Sequence, residues 1–270
     1  MPRARANGIE LEYEVVGDAH APPLLMIMGL GSQMIVWPEE WIQMLAARGY
    51  RVIRYDNRDV GLSTRPDAPY TLDDMADDAA GLLDALDLPS AHVVGASMGG
   101  FIAQLLALRH PRRVRSLCIM MSSTGARDVG APAPDVTPML MQPLPSEREA
   151  HLAHRLPIAR RLSSPAYPFD EPRLRRIYGT SFDRCFFPLG GQRQLAAVLS
   201  APDRTARLAS IRIPTVVIHG DSDPLVHVSG GKAIAAAIPN AKLQILPGMG
   251  HDLPAALWPT FAEAIATNAR

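Results

Sequence analysis

A serine, an acid and a histidine can together break an acyl bond, and this 270-residue chain carries all three in short glycine-containing stretches, at Ser97, Asp223 and His251. Ser97 lies in Gly95-Ala96-Ser97-Met98-Gly99, between an apolar, strand-like run (Ala91 to Gly95) and a helix-like one (Phe101 to Arg109). The pattern Gly-x-Ser-x-Gly is common by chance, and its alternative reading is a glycine-rich loop with an incidental serine. The strand-to-helix setting favours a nucleophile. A serine on such a turn is held in strained backbone geometry, and both flanking positions must be nearly free of side chain so that strand and helix can approach. The helix N-terminus behind it presents unpaired N–H groups and a positive dipole end to developing negative charge.

A serine hydroxyl is a weak nucleophile near neutral pH and needs a base, which in turn needs a group to fix its tautomer. In α/β folds reactive groups gather beyond the carboxyl ends of strands, so each candidate is judged by whether it follows one. The run Thr215 to His219 leads into Gly220-Asp221-Ser222-Asp223-Pro224, and Leu243 to Leu246 leads into Pro247-Gly248-Met249-Gly250-His251. His251 is therefore the expected base. Asp223 is preferred as the acid because Pro224 stiffens its turn, and Asp221 is read as a turn cap. His110, His151, His154 and His219 are assigned to capping and surface roles. A tetrahedral intermediate also needs two preorganised donors, one being the N–H after the nucleophile, at Met98. The second is expected from the loop Met28-Gly29-Leu30-Gly31-Ser32, at Leu30; an ordinary glycine turn is the alternative.

The elements that must position these groups are legible as short apolar runs alternating with helical patterns, which gives an α/β class with a mostly parallel sheet. Candidate strands are Ile9 to Val16, Leu24 to Met28, Arg51 to Tyr55, Ala91 to Gly95, Val114 to Met121, Thr215 to His219 and Leu243 to Leu246. Thr71 with Asp74 resembles a capping box, opening a helix that ends near Leu88-Pro89. Between Thr124 and about Ser210 the strand pattern stops, prolines become dense, and helix starts occur at Ser146 with Glu149 and at Asp170 with Pro172. Residues 124–210 therefore read as a helical insertion into one sheet, with a loop over Gly125 to Pro145.

Composition narrows the partners. Lys+Arg and Asp+Glu each total 27, so no net field would hold the chain to nucleic acid or an anionic membrane. Met1-Pro2-Arg3-Ala4-Arg5 is not followed by a signal-peptide stretch and no apolar run is long enough to span a bilayer, so the expected setting is soluble and cytoplasmic. Cys118 and Cys185 read as packing residues rather than a disulfide, and neither has metal-ligand spacing. The chemistry needs no metal or organic cofactor. No signal specifies an oligomeric state.

At this point the sequence resembles the α/β-hydrolase superfamily over nearly its whole length. The resemblance rests on Met28-Gly29-Leu30-Gly31, Tyr55-Asp56-Asn57-Arg58-Asp59-Val60-Gly61-Leu62-Ser63, Gly95-Ala96-Ser97-Met98-Gly99, His219-Gly220-Asp221-Ser222-Asp223-Pro224 and Gly248-Met249-Gly250-His251. It implies an eight-stranded sheet in residues 1–123 and 211–270, a helical cap in 124–210 after the sixth strand, and a triad at Ser97, Asp223 and His251. Met28-Gly29 stands where His-Gly is usual and Arg58-Asp59 where Arg-Gly is usual. Both variants look like the branch that includes aclacinomycin methylesterase and related small-molecule carboxylesterases. Arg58 and Asp56 are expected to hold their loop by ion pairing.

The expected function is hydrolysis of small carboxylic esters through an acyl-enzyme. Carbon–carbon bond hydrolysis, lactone opening and perhydrolysis use the same triad, and a small-ligand receptor that retains it is the alternative from another class. An apolar or aromatic substrate group would suit a pocket formed by Met28, Gly29, Trp37 and Leu225 with Tyr167 and Phe186 of the insertion. The competing reading is that the insertion's aromatics pack it onto the core.

Overall fold

The apolar runs form the middle of one eight-stranded sheet in the computed structural model of this chain, which describes residues 2–269. Met1 and Arg270, the outer bounds of the expected core unit, lie outside the described residues. The strands are β1 (Arg3–Ala6), β2 (Ile9–Val16), β3 (Pro23–Ile27), β4 (Arg51–Tyr55), β5 (Ala91–Ala96), β6 (Val114–Met120), β7 (Thr215–Gly220) and β8 (Lys242–Leu246), in spatial order β1-β2-β4-β3-β5-β6-β7-β8. Strand β2 runs antiparallel to both β1 and β4, and the remaining neighbours are parallel. Strand β1 was not expected from the residues themselves. Its four residues alternate arginine and alanine, so it has no apolar run, and only its two alanines are buried.

The helices are α1 (Glu39–Ala47), α2 (Leu72–Ala85), α3 (Met98–Arg109), α4 (Val136–Leu140), α5 (Arg148–Leu162), α6 (Glu171–Arg184), α7 (Pro188–Ser200), α8 (Thr205–Leu208), α9 (Ser229–Ala237) and α10 (Trp258–Asn268). Period 2 along the strands explains the continuous apolar runs, because both faces are covered. Leu25, Ile27, Val93, Leu117, Ile119 and Val217 pack with residues of α2, α3 and α9, whereas Leu24, Met26, Val94, Cys118, Met120 and Ile218 pack with Trp41, Leu45, Phe261 and Ile265 of α1 and α10. Among the described residues no helix is long and apolar enough to cross a membrane.

Helix α2 opens as expected: Thr71 and Asp74 exchange side-chain and backbone hydrogen bonds in a capping box. It closes earlier than expected, at Ala85, because Asp87 turns left-handed (φ 54) and the Asp87 and Leu88 amides return to the Asp84 and Leu83 carbonyls. Asp170 caps α6 as expected, but the cap of α5 is Glu147 rather than Ser146. The Glu147 carboxylate itself accepts from the Ala150 amide at 2.9 Å, while Glu149 turns to Arg148 and Arg175. Helices α4 to α8 all lie between β6 and β7, and α4 gives the proline-rich stretch a short helix where a loop was expected. Both cysteines are free; Cys118 is buried, and Cys185 is only half-buried, its Sγ accepting from Arg65.

Candidate active site

The chain leaves β3 towards β4 on one side of the sheet and later enters β5 on the other side of β3. This is a topological switch point, where the loops beyond adjacent strands part and leave a crevice. The loop after β3 carries Met28 to Ser32, and β5 ends at Ala96, directly before Ser97. Ser97 is the N-cap of α3 with φ 56 and ψ −120, a conformation that residues other than glycine rarely adopt. Its backbone is tied to the end of β6 and the loop that follows: Ser97 N donates to the Met120 carbonyl at 2.9 Å, and Ser122 Oγ donates to the Ser97 carbonyl at 2.9 Å.

The glycines of the motif follow from crowding. A Cβ at Gly95 would overlap the Gly99 carbonyl, and one at Gly99 would overlap the Ile27 carbonyl of β3. Strain at Ser97 has a measurable consequence. Ser97→Gly is expected to exceed Ser97→Ala in stability by about 1 kcal/mol, since alanine keeps the strained conformation and glycine relaxes it. Thermal melts of the two variants read this directly; a Ser97→Gly melt at or below that of Ser97→Ala counts against stored strain.

Ser97, His251 and Asp223 meet. His251 Nε2 lies 3.0 Å from Ser97 Oγ, and His251 Nδ1 lies 2.7 Å from Asp223 Oδ2. An ionised carboxylate only accepts, so Nδ1 carries the proton and Nε2 presents its lone pair to the serine hydroxyl. Asp223 is fully buried at its side chain, and its other oxygen, Oδ1, accepts the Leu225 and Val226 amides, each at 2.8 Å. Burial alone would push its carboxyl up. The His251 imidazole, a second imidazole at His219 and the Val226 amide outweigh this and hold it well below the usual carboxylate range.

His219 departs from its expected surface role. It is fully buried, with Nε2 donating to the Val226 carbonyl at 2.7 Å and lying 3.5 Å from Asp223 Oδ2, so it backs the turn that carries the acid. His151 is also buried, against the rings of Phe182 and Phe186. Asp221 joins the acid and base loops, its Oδ1 accepting the Gly248 amide at 2.7 Å. The base loop is also clamped by the insertion. The His251 amide donates to the Leu162 carbonyl at 2.7 Å, the Gly250 amide to Ser164 Oγ at 2.8 Å, and Ser164 bonds Asp252 through both its amide and its hydroxyl.

The loop after β3 passes over the serine. A Cβ at Gly29 would stand 3.2 Å from Ser97 Cβ, so glycine permits the approach. Neither the Leu30 nor the Met98 amide donates to an acceptor among the described residues. Met28, the first residue of this loop, is buried, its carbonyl held by Asn57 Nδ2 at 3.0 Å. Trp37 is a correction: it has no exposed surface and packs against Trp41 in the core, so it has no face to offer a pocket. Leu225 is half-buried beside Asp223, Tyr167 reaches the Pro247 carbonyl through its hydroxyl at 3.3 Å, and Phe186 stacks on Phe182 within the insertion. The ion pairs of the β4 loop reach further than expected. Asp56 pairs with Arg184 of α6 at 2.6 Å and Arg58 with Asp78 of α2 at 2.6 Å, so the ion pairs tie the loop to other elements, while the Leu62 amide and the Ser63 hydroxyl close it on Asp56.

An open mostly parallel sheet with a strained serine after its fifth strand, backed by imidazole and carboxylate from loops after the last two strands, defines a hydrolase of the α/β class. The family model described as the alpha/beta hydrolase fold matches residues 22–254, and the chain belongs to that family. It is 34% identical to the rhodomycin D methylesterase DauP of Streptomyces sp. (strain C5), over 97% of this chain and 95% of that one. It is 30% identical to 3-oxoadipate enol-lactonase 2 of Acinetobacter baylyi, over 89% of this chain and 86% of the other. Among solved structures, the enol-lactonase from Burkholderia xenovorans LB400 superposes with a TM-score of 0.80 at 25% identity, covering 99% of both chains.

Proposed function

We propose that this chain is a serine carboxylesterase in which Ser97 is the nucleophile, His251 the general base and acid, and Asp223 the group that orients and stabilises the imidazolium. The observation that carries this reading is the continuous path from Asp223 Oδ2 through His251 to Ser97 Oγ, at 2.7 and 3.0 Å. Ser97 Oγ attacks the ester carbonyl carbon while its proton passes to His251 Nε2. The carbonyl oxygen becomes an oxyanion and is met by the Leu30 and Met98 amides, which donate to no acceptor among the described residues. Collapse of the intermediate expels the alcohol, which takes the proton from His251. Water, deprotonated by the same imidazole, then releases the acid and restores the serine.

Residues 124–210 act as a cap over this centre, with residues 1–123 and 211–270 as the catalytic core. Met28, Gly29, Leu225, Tyr167 and Phe186 border the acyl or alcohol group, and this surface suits an apolar or aromatic molecule. The similarity to a methylesterase over nearly the full chain supports a small alkoxy leaving group on such a molecule. A lactone is an internal ester cleaved by the same steps, and the similarity to an enol-lactonase keeps lactone opening as the second reading.

A panel of p-nitrophenyl and methyl esters, varied separately in acyl length and ring size and run beside simple lactones, tests the assignment. The expected result is turnover of short-chain p-nitrophenyl esters and of aryl methyl esters, with lactones slower. Lactone opening with no ester turnover would replace the first reading by the second.

A further inference from the structure

The Gly29–Ser32 turn that carries the Leu30 amide has little packing of its own. Leu30 is 37% exposed, Gly31 is exposed, and the turn closes on itself through two long bonds, from the Ser32 amide to the Gly29 carbonyl at 3.3 Å and from Ser32 Oγ to the Leu30 carbonyl at 3.4 Å. Gly31 sits at its third position with φ +66, the conformation for which glycine is needed. The peptide between Leu30 and Gly31, which shares the Leu30 Cα with the preceding peptide that bears the Leu30 N–H, has two orientations in turns of this kind, related by a flip. One contact from outside selects between them: the Gly31 amide donates to Gln194 Oε1 of α7 at 2.7 Å.

Gln194 is well suited to hold that peptide. It is fully buried, and its Nε2 donates to the Arg58 carbonyl at 2.8 Å. A carbonyl can only accept and an amide N–H can only donate, so the side-chain amide has a single orientation between these two partners. The Arg58 end is rigid, because its guanidinium is locked in a buried two-point pair with Asp78 at 2.6 and 2.7 Å. Helix α7 is itself seated on the core beside Gln194. Gly190 packs on the Asp59 carbonyl so closely that a Cβ would overlap it, and Arg193 donates to the Pro66 carbonyl at 2.7 Å.

We propose that Gln194 is a positioning residue for ester hydrolysis: from the insertion, it fixes the turn whose Leu30 amide receives the oxyanion. The proposal rests on the carboxylesterase reading. Donors that stabilise an oxyanion act only when held at the position the charged oxygen will occupy, and removing one outright costs about 10²–10³ in kcat. Loosening its support costs less. Gln194→Met keeps side-chain length and removes both hydrogen bonds, and Gln194→Glu keeps the acceptor for the Gly31 amide.

The test is steady-state hydrolysis of p-nitrophenyl acetate, with each variant corrected by active-site titration with a fluorophosphonate. For Gln194→Met, kcat per titrated site is expected to fall by roughly ten- to a hundredfold with KM within about threefold. Affinity for a trifluoromethyl ketone, which adds to the serine as a tetrahedral oxyanion, is expected to weaken in parallel. Gln194→Glu is expected to recover part of the loss, since it keeps the acceptor for the Gly31 amide but, when ionised, sets an oxygen against the Arg58 carbonyl. A purely structural role would lower the titrated fraction or the melting temperature and leave kcat per site unchanged. That result, or unchanged ketone affinity, overturns the proposal. A wild-type chain that neither titrates nor turns over ester overturns the carboxylesterase reading itself, and the role of Gln194 with it.

Discussion

Ser97→Ala is expected to lower kcat for ester hydrolysis by about 10³-fold or more, equivalent to about 4 kcal/mol of lost transition-state stabilisation. Among the described residues Ser97 Oγ is the hydroxyl placed against His251 Nε2, at 3.0 Å. The nearby Ser122 hydroxyl is committed to the Ser97 carbonyl and supports the turn instead of replacing the nucleophile. Alanine keeps the Cβ that Gly29 packs beside, so the loop after β3 and its donors stay in place. What remains after the substitution is the contribution of binding and the oxyanion donors to attack by water. The measurement is kcat on p-nitrophenyl acetate with a circular-dichroism melt in parallel. A loss of less than tenfold in a folded variant would rule out Ser97 as the nucleophile.

Asp223→Asn is expected to cost about 10⁴-fold in kcat at neutral pH with little change in fold, because it changes a proton's position more than any packing. The Leu225 and Val226 amides both donate to Asp223 Oδ1 at 2.8 Å, so asparagine must leave its oxygen there and turn its NH₂ towards His251. The NH₂ group can only donate. His251 Nδ1 then becomes an acceptor, the ring proton moves to Nε2, and the nitrogen facing Ser97 can no longer take the hydroxyl proton. The loss of charge acts in the same direction. The native carboxyl is pushed up by burial but held down more strongly by its two imidazoles and the Val226 amide, so at neutral pH it is ionised and stabilises the imidazolium. Nuclear magnetic resonance of the His251 ring nitrogens reads the tautomer directly. An active variant, or one whose Nδ1 keeps the proton, would show that Asp223 does not set the base.

Much of the fold follows from local pattern. Strands buried on both faces are apolar at most positions, so β3, β5, β6 and β7 stand out as runs, and the Thr71–Asp74 box marks the start of α2. Strand β1 lacks any such signature, because pairing with β2 at the sheet edge requires burial of only Ala4 and Ala6. Trp37 illustrates a different limit. Its place near the serine's loop suggested a pocket wall, yet a large ring can equally be sealed beneath that loop, and contact with Trp41 put it there. His219 closes an apolar strand, and its chain position carries no sign that its ring faces Asp223.

By itself the sequence singled out the proposed reacting set, because Ser97 directly follows a strand, Asp223 and His251 stand in the loops after two others, and a strand end is a local event that residue types record. The tertiary structure alone decided what holds them. Ser164 reaches Asp252 across 88 residues, and Gln194 reaches Gly31 across 163. Contacts between elements so far apart leave no periodicity in either partner, and a glutamine on a helix looks the same whether it faces water or fastens a catalytic loop. Only the docking of the insertion onto the core distinguishes the two.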